Sequence, residues 1–301
     1  MNEELIMFSH LSPVPIEAQL SQNPMPGLHH LLLDTNHHEH PRSYNTSLKD
    51  VVYIDGEYDW LIINELFSTE SVTRAGSIAG VTELNSHCMR NAFFVFLTSD
   101  RNIFNELNTP DALLGKHPLL PIPFRIFFHD IILSSHFFSI FPRSRQTWTV
   151  VTNNDIVLCD LQRILPNCKR DALYIASRAD VDINNPEMEI HSYDYYMNMG
   201  SFDVFVWNSF PISQIVRDKL YFKRSYWGVE NVILHTLLHQ PSELFSDPAA
   251  KSKSRVTNLC PYGSVYHYHP TTDKRSNRVR IDNRENRDEA RSENFVDFCK
   301  L

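Results

Sequence analysis

The chain has 301 residues, of which 42% are hydrophobic, 21% charged and 12% aromatic, a composition that suits a globular protein with a large buried core. Its formal net charge of −8 argues against the basic surface of a nucleic-acid-binding domain or of a protein drawn to an anionic membrane. No apolar run reaches the roughly 18–20 residues of a membrane span, and the N-terminal MNEELIMFSHLSP lacks the basic and apolar regions of a cleavable signal.

Residues 1–49 read as an irregular, Pro- and His-rich segment. Pro13, Pro15, Pro24, Pro26 and Pro41 break it, and His29, His30, His37, His38 and His40 lack the i,i+4 order of a helical ligand set. From residue 50 the pattern changes. Val51–Ile54 and Ala92–Leu97 are short apolar runs that suit buried strands, the second closing at Thr98-Ser99-Asp100. Segments around 60–67 and 126–140 are expected to be helices covering a sheet. Thr147–Val151, Ala172–Ser177 and Val204–Trp207 are the next predicted strands. This alternation predicts an α/β domain over residues 50–270, with a mostly parallel, Rossmann-like central sheet flanked by helices. Tyr226–Gln240 is the clearest helix: Val229, Ile233, Leu234, Leu237 and Leu238 form one apolar stripe, and Pro241 stops it. Residues 271–301 read as a solvated, mixed-charge tail.

Negative signals narrow the chemistry. Neither GxGxxG nor GxxxxGK[ST] occurs, so dinucleotide and P-loop sites are not expected. The cysteines are five, an odd number, with no CxxC pair, which predicts neither a disulfide framework nor a cysteine zinc site. With no signal visible, the expected compartment is the cytoplasm, with reduced thiols. The secretory pathway is the alternative if an N-terminal anchor is missing from the chain.

Three pieces carry the functional reading. Asn153-Asn154-Asp155 follows the Thr147–Val151 strand, and a strand end in an open α/β sheet is where ligands bind. Asn153 and Asp155 offer hard oxygens suited to Mg²⁺ or Mn²⁺, although Asn and Asp also simply favour turns. Glu230, within Tyr226-Trp227-Gly228-Val229-Glu230-Asn231, sits in the first turn of the clearest helix. There it fits a general base, and equally a residue complementing the helix dipole. In Val265-Tyr266-His267-Tyr268-His269, strand alternation puts both histidines on one face. Either imidazole suits a metal, and the run also suits a half-buried strand with polar outward positions.

In that order, the three pieces resemble GT-A-fold glycosyltransferases over residues 145–270. Asn153-Asn154-Asp155 looks like their DxD motif, with Asn153 in place of the first Asp. Trp227-Gly228-Val229-Glu230-Asn231 is similar to the WGxEN segment of the polypeptide N-acetylgalactosaminyltransferases. His267 or His269 matches the late histidine that helps hold the metal. A second similarity is to uncharacterised glycosyltransferase-like proteins. They carry an NSDI-type strand end (here Asn153–Ile156), an [ST]R strand (Ser177-Arg178), an SxD segment (Ser201–Val206) and a Gx[DE]N helix start (Gly228–Asn231).

The resemblance implies transfer of a sugar from a nucleotide-diphosphate donor to a hydroxyl acceptor, whether glycan, protein or small molecule, with Mn²⁺ or Mg²⁺. Asp155, Asn153 and His267 or His269 would hold the metal, and Glu230 and Asp203 would be the catalytic or acceptor-side carboxylates. Arg178, Trp227, Gly228 and Asn231 would bind substrate. Two rivals stand beside this reading. One is a metal-dependent hydrolase using His129, Asp130, His136, His235, His239 and the 267/269 pair, although His235 and His239 lack the Glu of HExxH. The other is a non-catalytic interaction protein on the same scaffold.

Overall fold

Strands buried on both faces build the centre of the molecule. The computed structural model describes residues 51–67, 72–118, 120–168, 172–182, 185–191, 202–208, 211–224, 229–238, 244–246, 256–259 and 265–269, with the backbone alone at 72–77, 182, 185–191, 231, 268 and 269. The segments 1–49 and 271–301 lie outside the described residues.

In chain order the elements are β1 (Val52–Ile54), β2 (Trp60–Leu66), α1 (Val72–Cys88), β3 (Ala92–Thr98), α2 (Arg101–Leu107), α3 (Pro110–Leu113), β4 (Phe124–Phe128), α4 (Ser134–Phe137), β5 (Ile140–Pro142), β6 (Trp148–Thr152) and β7 (Ile156–Val157). There follow α5 (Leu161–Ile164), β8 (Leu173–Ala176), β9 (Arg178–Asp182), β10 (Asn185–His191), β11 (Val204–Asn208), α6 (Gln214–Lys219), α7 (Val229–Leu238), β12 (Val256–Asn258) and β13 (Val265–His269).

The main sheet has seven strands in the order β12-β8-β11-β6-β2-β3-β4. β11 runs antiparallel to β6 and β8, and every other pairing is parallel. Residue parity divides the core. Leu61, Ile63, Val95, Val151 and Phe205 face one side, where Val216 of α6 and Val229, Ile233, Leu234 and Leu237 of α7 pack. Ile62, Phe94, Phe96, Val150 and Val206 face the other, against Ile78 of α1 and Ile103 and Leu107 of α2. The fold is therefore mixed α/β, with helices on both faces of a mostly parallel sheet. The run β2-α1-β3-α2-β4 then returns to β6 on the far side of β2. Strand order thus reverses between β2 and β6, the switch point where open sheets bind ligands.

A smaller sheet, β10-β9-β13-β7, stands beside the carboxyl ends of β6 and β8. The chain enters it directly from the main sheet. β6 is followed by Asn153–Asp155 and then β7, while β8 continues through Ser177 into β9. His267 of β13 lies in register with Ile156 of β7 and Asp180 of β9.

Two helix expectations are overturned. Residues 60–66 form β2, whose residues are nearly all buried, because a continuous apolar run packs equally well as a strand between two helical layers. In 126–140 only Ser134–Phe137 is helical; β4 occupies its start and β5 begins at its end. The strands at 148–152, 173–176 and 204–208 and the helix at 229–238 match the sequence expectation to within a residue or lie inside it.

The expectation of unpaired cysteines is also overturned. Cys88, at the end of α1, is bonded to Cys159 just after β7. Next to this bond, Asn85 of α1 donates to the Ile156 carbonyl at 2.8 Å and accepts from the Leu158 amide at 2.8 Å. Helix α1 is thus fastened to the segment that leaves the Asn153–Asp155 turn. Unfolding without reductant is expected to expose at most three thiols, rising to five after reduction. Cys159→Ala is expected to cost roughly 2–5 kcal/mol of stability, read by urea unfolding. Five thiols before reduction would remove the bond from this account.

Candidate functional site

Each residue of the turn after β6 holds a different part of the fold. Asn154 is buried and donates to the Glu65 carbonyl at the end of β2 at 2.6 Å, which fixes the turn at the switch point. Asn153 turns the other way: its amide donates to Asp203 Oδ1 at 2.9 Å and its oxygen accepts from Arg224 Nη2 at 3.2 Å. Asp155 points toward the small sheet, where its Oδ2 lies 3.0 Å from His267 Nε2.

His267 is gripped from both sides, since its Nδ1 lies 2.9 Å from Asp180 Oδ1. Desolvation alone would lower its pKa. The Asp155 charge and the hydrogen bonds to Asp155 and Asp180 outweigh that and raise it to about 8, so the ring is an imidazolium donating from both nitrogens at neutral pH. Asp180 in turn accepts from Arg178 Nε at 3.0 Å, and Arg178 Nη1 donates to Asp203 Oδ1 at 2.7 Å. Alternation explains the geometry: Arg178 and Asp180 share one face of β9, while Ala179 and Val181 are buried on the other.

Glu230 belongs to the same cluster. Burial pushes its carboxyl pKa up, and although Arg224 pulls it down, Asp203 pushes it up again. Desolvation thus prevails over the helix N-terminus, whose backbone hydrogen bond lowers the pKa less. A carboxylate raised in this way is a better proton acceptor than an exposed one.

The structure therefore brings Asp155, His267, Asn153, Asp203, Arg178 and Glu230 into one network. Arg178 is spent on two carboxylates, and the Asn153 amide faces Asp203 and Arg224 rather than the Asp155–His267 pair. His269 belongs to β13 and Asn231 to α7, but their side chains, like Trp227 and Gly228 altogether, lie outside the described residues. Asp180 and Arg224 are network members that the sequence reading missed. The RADVD alternation was a usable signal for Asp180; none marks Arg224.

Among the described residues no three His, Cys, Asp or Glu side chains converge as a ready-made metal cage. The donor set still fits an ion that arrives with its substrate. Mg²⁺ and its like are held by one or two carboxylates together with substrate phosphates. Asp155 Oδ2 and His267 Nε2, 3.0 Å apart, have the spacing of adjacent ligands about 2.1 Å from a shared ion.

Of the histidines in the hydrolase reading, His267 belongs to this network. His129 and His136 stack at 4.0 Å between centroids, and no third ligand joins them among the described residues. His239 lies outside those residues. A separate cleft lined by Arg163, Cys168, Tyr174 and Leu259 shares no residue with the network.

No family model and no curated protein matches the sequence. Among solved structures the chain is similar to the crystal structure of HddC from Yersinia pseudotuberculosis, at 11% identity over 51% of this chain and 74% of that one, with a TM-score of 0.27. A likeness that small supports neither a fold assignment nor an activity.

Two outcomes follow from the electrostatics. Removing Arg178 leaves Asp203 and Asp180, 1% and 2% exposed, without their shared counter-charge. Arg178→Met is expected to cost about 3–5 kcal/mol in urea unfolding, and a cost under 1 kcal/mol would show that the carboxylates are solvated. His136 behaves oppositely to His267: burial, then repulsion from His129, lowers its pKa from 6.5 to about 4. Its depressed value means that the unfolded chain takes up the proton first. Stability is then lost as pH falls from 6.5 toward 4, and His136→Gln should flatten that part of the stability–pH curve. An unchanged slope in the variant would contradict the assignment.

Proposed function

We propose that the protein is a GT-A-like glycosyltransferase, moving a sugar from a nucleotide-diphosphate donor to a hydroxyl acceptor with Mn²⁺ or Mg²⁺. The observation that carries the reading is the meeting of its three sequence pieces. Asp155 from the strand-end turn, His267 from the last strand and Glu230 from the helix start belong to one electrostatically linked cluster beside the β2–β6 switch point. No local fold rule requires residues so far apart in sequence to share a desolvated charge cluster, and such clusters with shifted pKa values gather at functional sites.

In this mechanism Asp155 and His267 would hold the ion, His267 as the neutral imidazole after yielding its proton. The ion supplies charge neutralisation and Lewis acidity at the donor diphosphate. Asn154 and the Asn85 clasp hold the turn in place. Glu230 accepts the proton of the acceptor hydroxyl as that oxygen bonds to the sugar's anomeric carbon. The bond from that carbon to the diphosphate breaks, and its electron pair leaves with the nucleoside diphosphate. Arg178 keeps Asp180 and Asp203 ionised and in position, and Asp203 lies on the acceptor or sugar side.

The Cys88–Cys159 bond favours an oxidising compartment, such as the lumen of the secretory pathway, over the expected cytoplasm. The hydrolase reading has no contact of this kind behind it, since its described pair His129 and His136 meet by stacking and are not joined to His267 by any hydrogen bond among the described residues.

A thermal-shift screen of nucleoside diphosphates with and without Mn²⁺ tests the proposal, since a ligand at 100 times its Kd stabilises by about 2.7 kcal/mol. Stabilisation requiring both components, and lost in Asp155→Ala, is the expected outcome. With a donor found, Glu230→Gln is expected to lower turnover by about two to four powers of ten while donor affinity is retained. No nucleotide-linked shift under any condition, or full turnover in Glu230→Gln, would overturn the reading.

A further inference from the structure

The buried network leaves two polar atoms without a protein partner among the described residues: Asp203 Oδ2 and Arg224 Nη1. Both side chains are deeply buried, the residues being 1% and 6% exposed. Asp203 Oδ1 accepts from Arg178 and Asn153, and Arg224 Nη2 donates to Asn153 Oδ1. The guanidinium also lies 5.2 Å over the Phe137 ring, and the Arg224 backbone amide donates to Ile132 at 3.1 Å, so neither chain nor side chain is free to swing away. An unpaired buried polar group destabilises the fold, and more so when it is charged. An acceptor and a donor left open on two residues that flank one amide, that of Asn153, form half of a binding site.

Their chemistry selects the ligand. A phosphate oxygen satisfies Arg224 but repels Asp203, and a metal ion satisfies Asp203 but repels Arg224. A hydroxyl both donates and accepts, so a neutral hydroxyl satisfies both at once. We infer that Arg224 and Asp203 together bind a ring hydroxyl of the donor sugar, with Arg224 Nη1 donating to the hydroxyl oxygen and Asp203 Oδ2 accepting its proton. The inference rests on the glycosyltransferase reading. It makes Arg224, which no sequence motif marks, a residue that selects the donor.

Position favours the donor over the acceptor. The Asn153 amide bridges Asp203 and Arg224, and Asn153 is two residues from Asp155, at most about 7 Å along the chain. The pair is therefore tied through Asn153 to the same turn that carries Asp155, where the diphosphate would sit. Glu230 feels the charges of the same pair, Arg224 lowering its carboxyl pKa and Asp203 raising it.

The test is calorimetry with Mn²⁺, comparing bare UDP and GDP with their hexose conjugates in the wild type, Arg224→Lys and Arg224→Gln. The expected result is that both variants bind the bare nucleotide within about twofold of the wild type. Each should bind the hexose conjugate about tenfold or more weakly, the worth of one charge-assisted hydrogen bond. A series of singly deoxygenated donors then identifies the hydroxyl. One deoxy position should weaken wild-type binding by the same factor and weaken Arg224→Gln no further, as a closed double-mutant cycle requires.

Equal weakening of bare nucleotide and conjugate would make Arg224 a phosphate ligand, and no weakening of either would make the pair a purely structural one. Both results overturn the inference while leaving the glycosyltransferase reading intact. A wild type that binds neither UDP nor GDP, nor any conjugate, overturns both together. Should neither variant fold, the deoxy series on the wild type decides alone, and uniform affinity across it counts against the inference.

Discussion

Asp155, Asp180, Asp203 and Glu230 share one desolvated edge of the molecule with Arg178, Arg224 and His267, and the need to balance those charges organises everything around them. Moving a carboxylate out of water costs several kcal/mol unless an opposite charge and a full set of hydrogen bonds replace the solvent. Here the replacement is a relay. Arg178 bridges two carboxylates, His267 bridges two, and Asn153 links Asp203 to Arg224. The two raised pKa values serve the same end. His267 holds its proton and gains a charge, while the Glu230 carboxyl is driven toward its neutral form.

That balance depends on elements far apart in the chain arriving at one place. β6 delivers Asn153 and Asp155, β9 delivers Arg178 and Asp180, β13 delivers His267, and α7 delivers Glu230. The smaller sheet makes this possible, because β7 and β9 continue out of the main sheet and β13 pairs between them. Anchors outside the charge cluster hold the frame: Asn154 on the Glu65 carbonyl, Asn85 on Ile156 and Leu158, and the Cys88–Cys159 bond. A loosened anchor would move a turn whose three consecutive side chains contact Asp203, Arg224, Glu65 and His267. The candidate site and the fold's stability are therefore linked through the same few contacts.

Much of this frame is legible in the sequence, and the losses have physical causes. Ala92–Leu97 reads as a strand because its apolar run is short and ends in polar residues, and the 229–238 helix reads from its stripe. Trp60–Leu66 misleads because a run buried on both faces has no period of two to betray it. Helix α1 escapes notice because Gly, Ser and Thr interrupt its apolar positions (VTRAGSIAGVTELNSHC). The Cys88–Cys159 bond spans 71 residues and is hidden by an odd cysteine count. Asp155, Glu230 and His267 stand out through residue type, spacing and order. Arg224 does not, because its meaning comes from Asn153 and Asp203, residues brought to it only by folding.

The most direct examination of the central claim is anomalous diffraction at the manganese edge, from crystals holding Mn²⁺ and a nucleoside diphosphate. The account expects a single strong peak within coordination distance of both Asp155 and His267, with the diphosphate completing the ligand shell over the β2–β6 edge. A peak elsewhere, such as beside His129 and His136, or a diphosphate bound away from the Asn153–Asp155 turn, would contradict it.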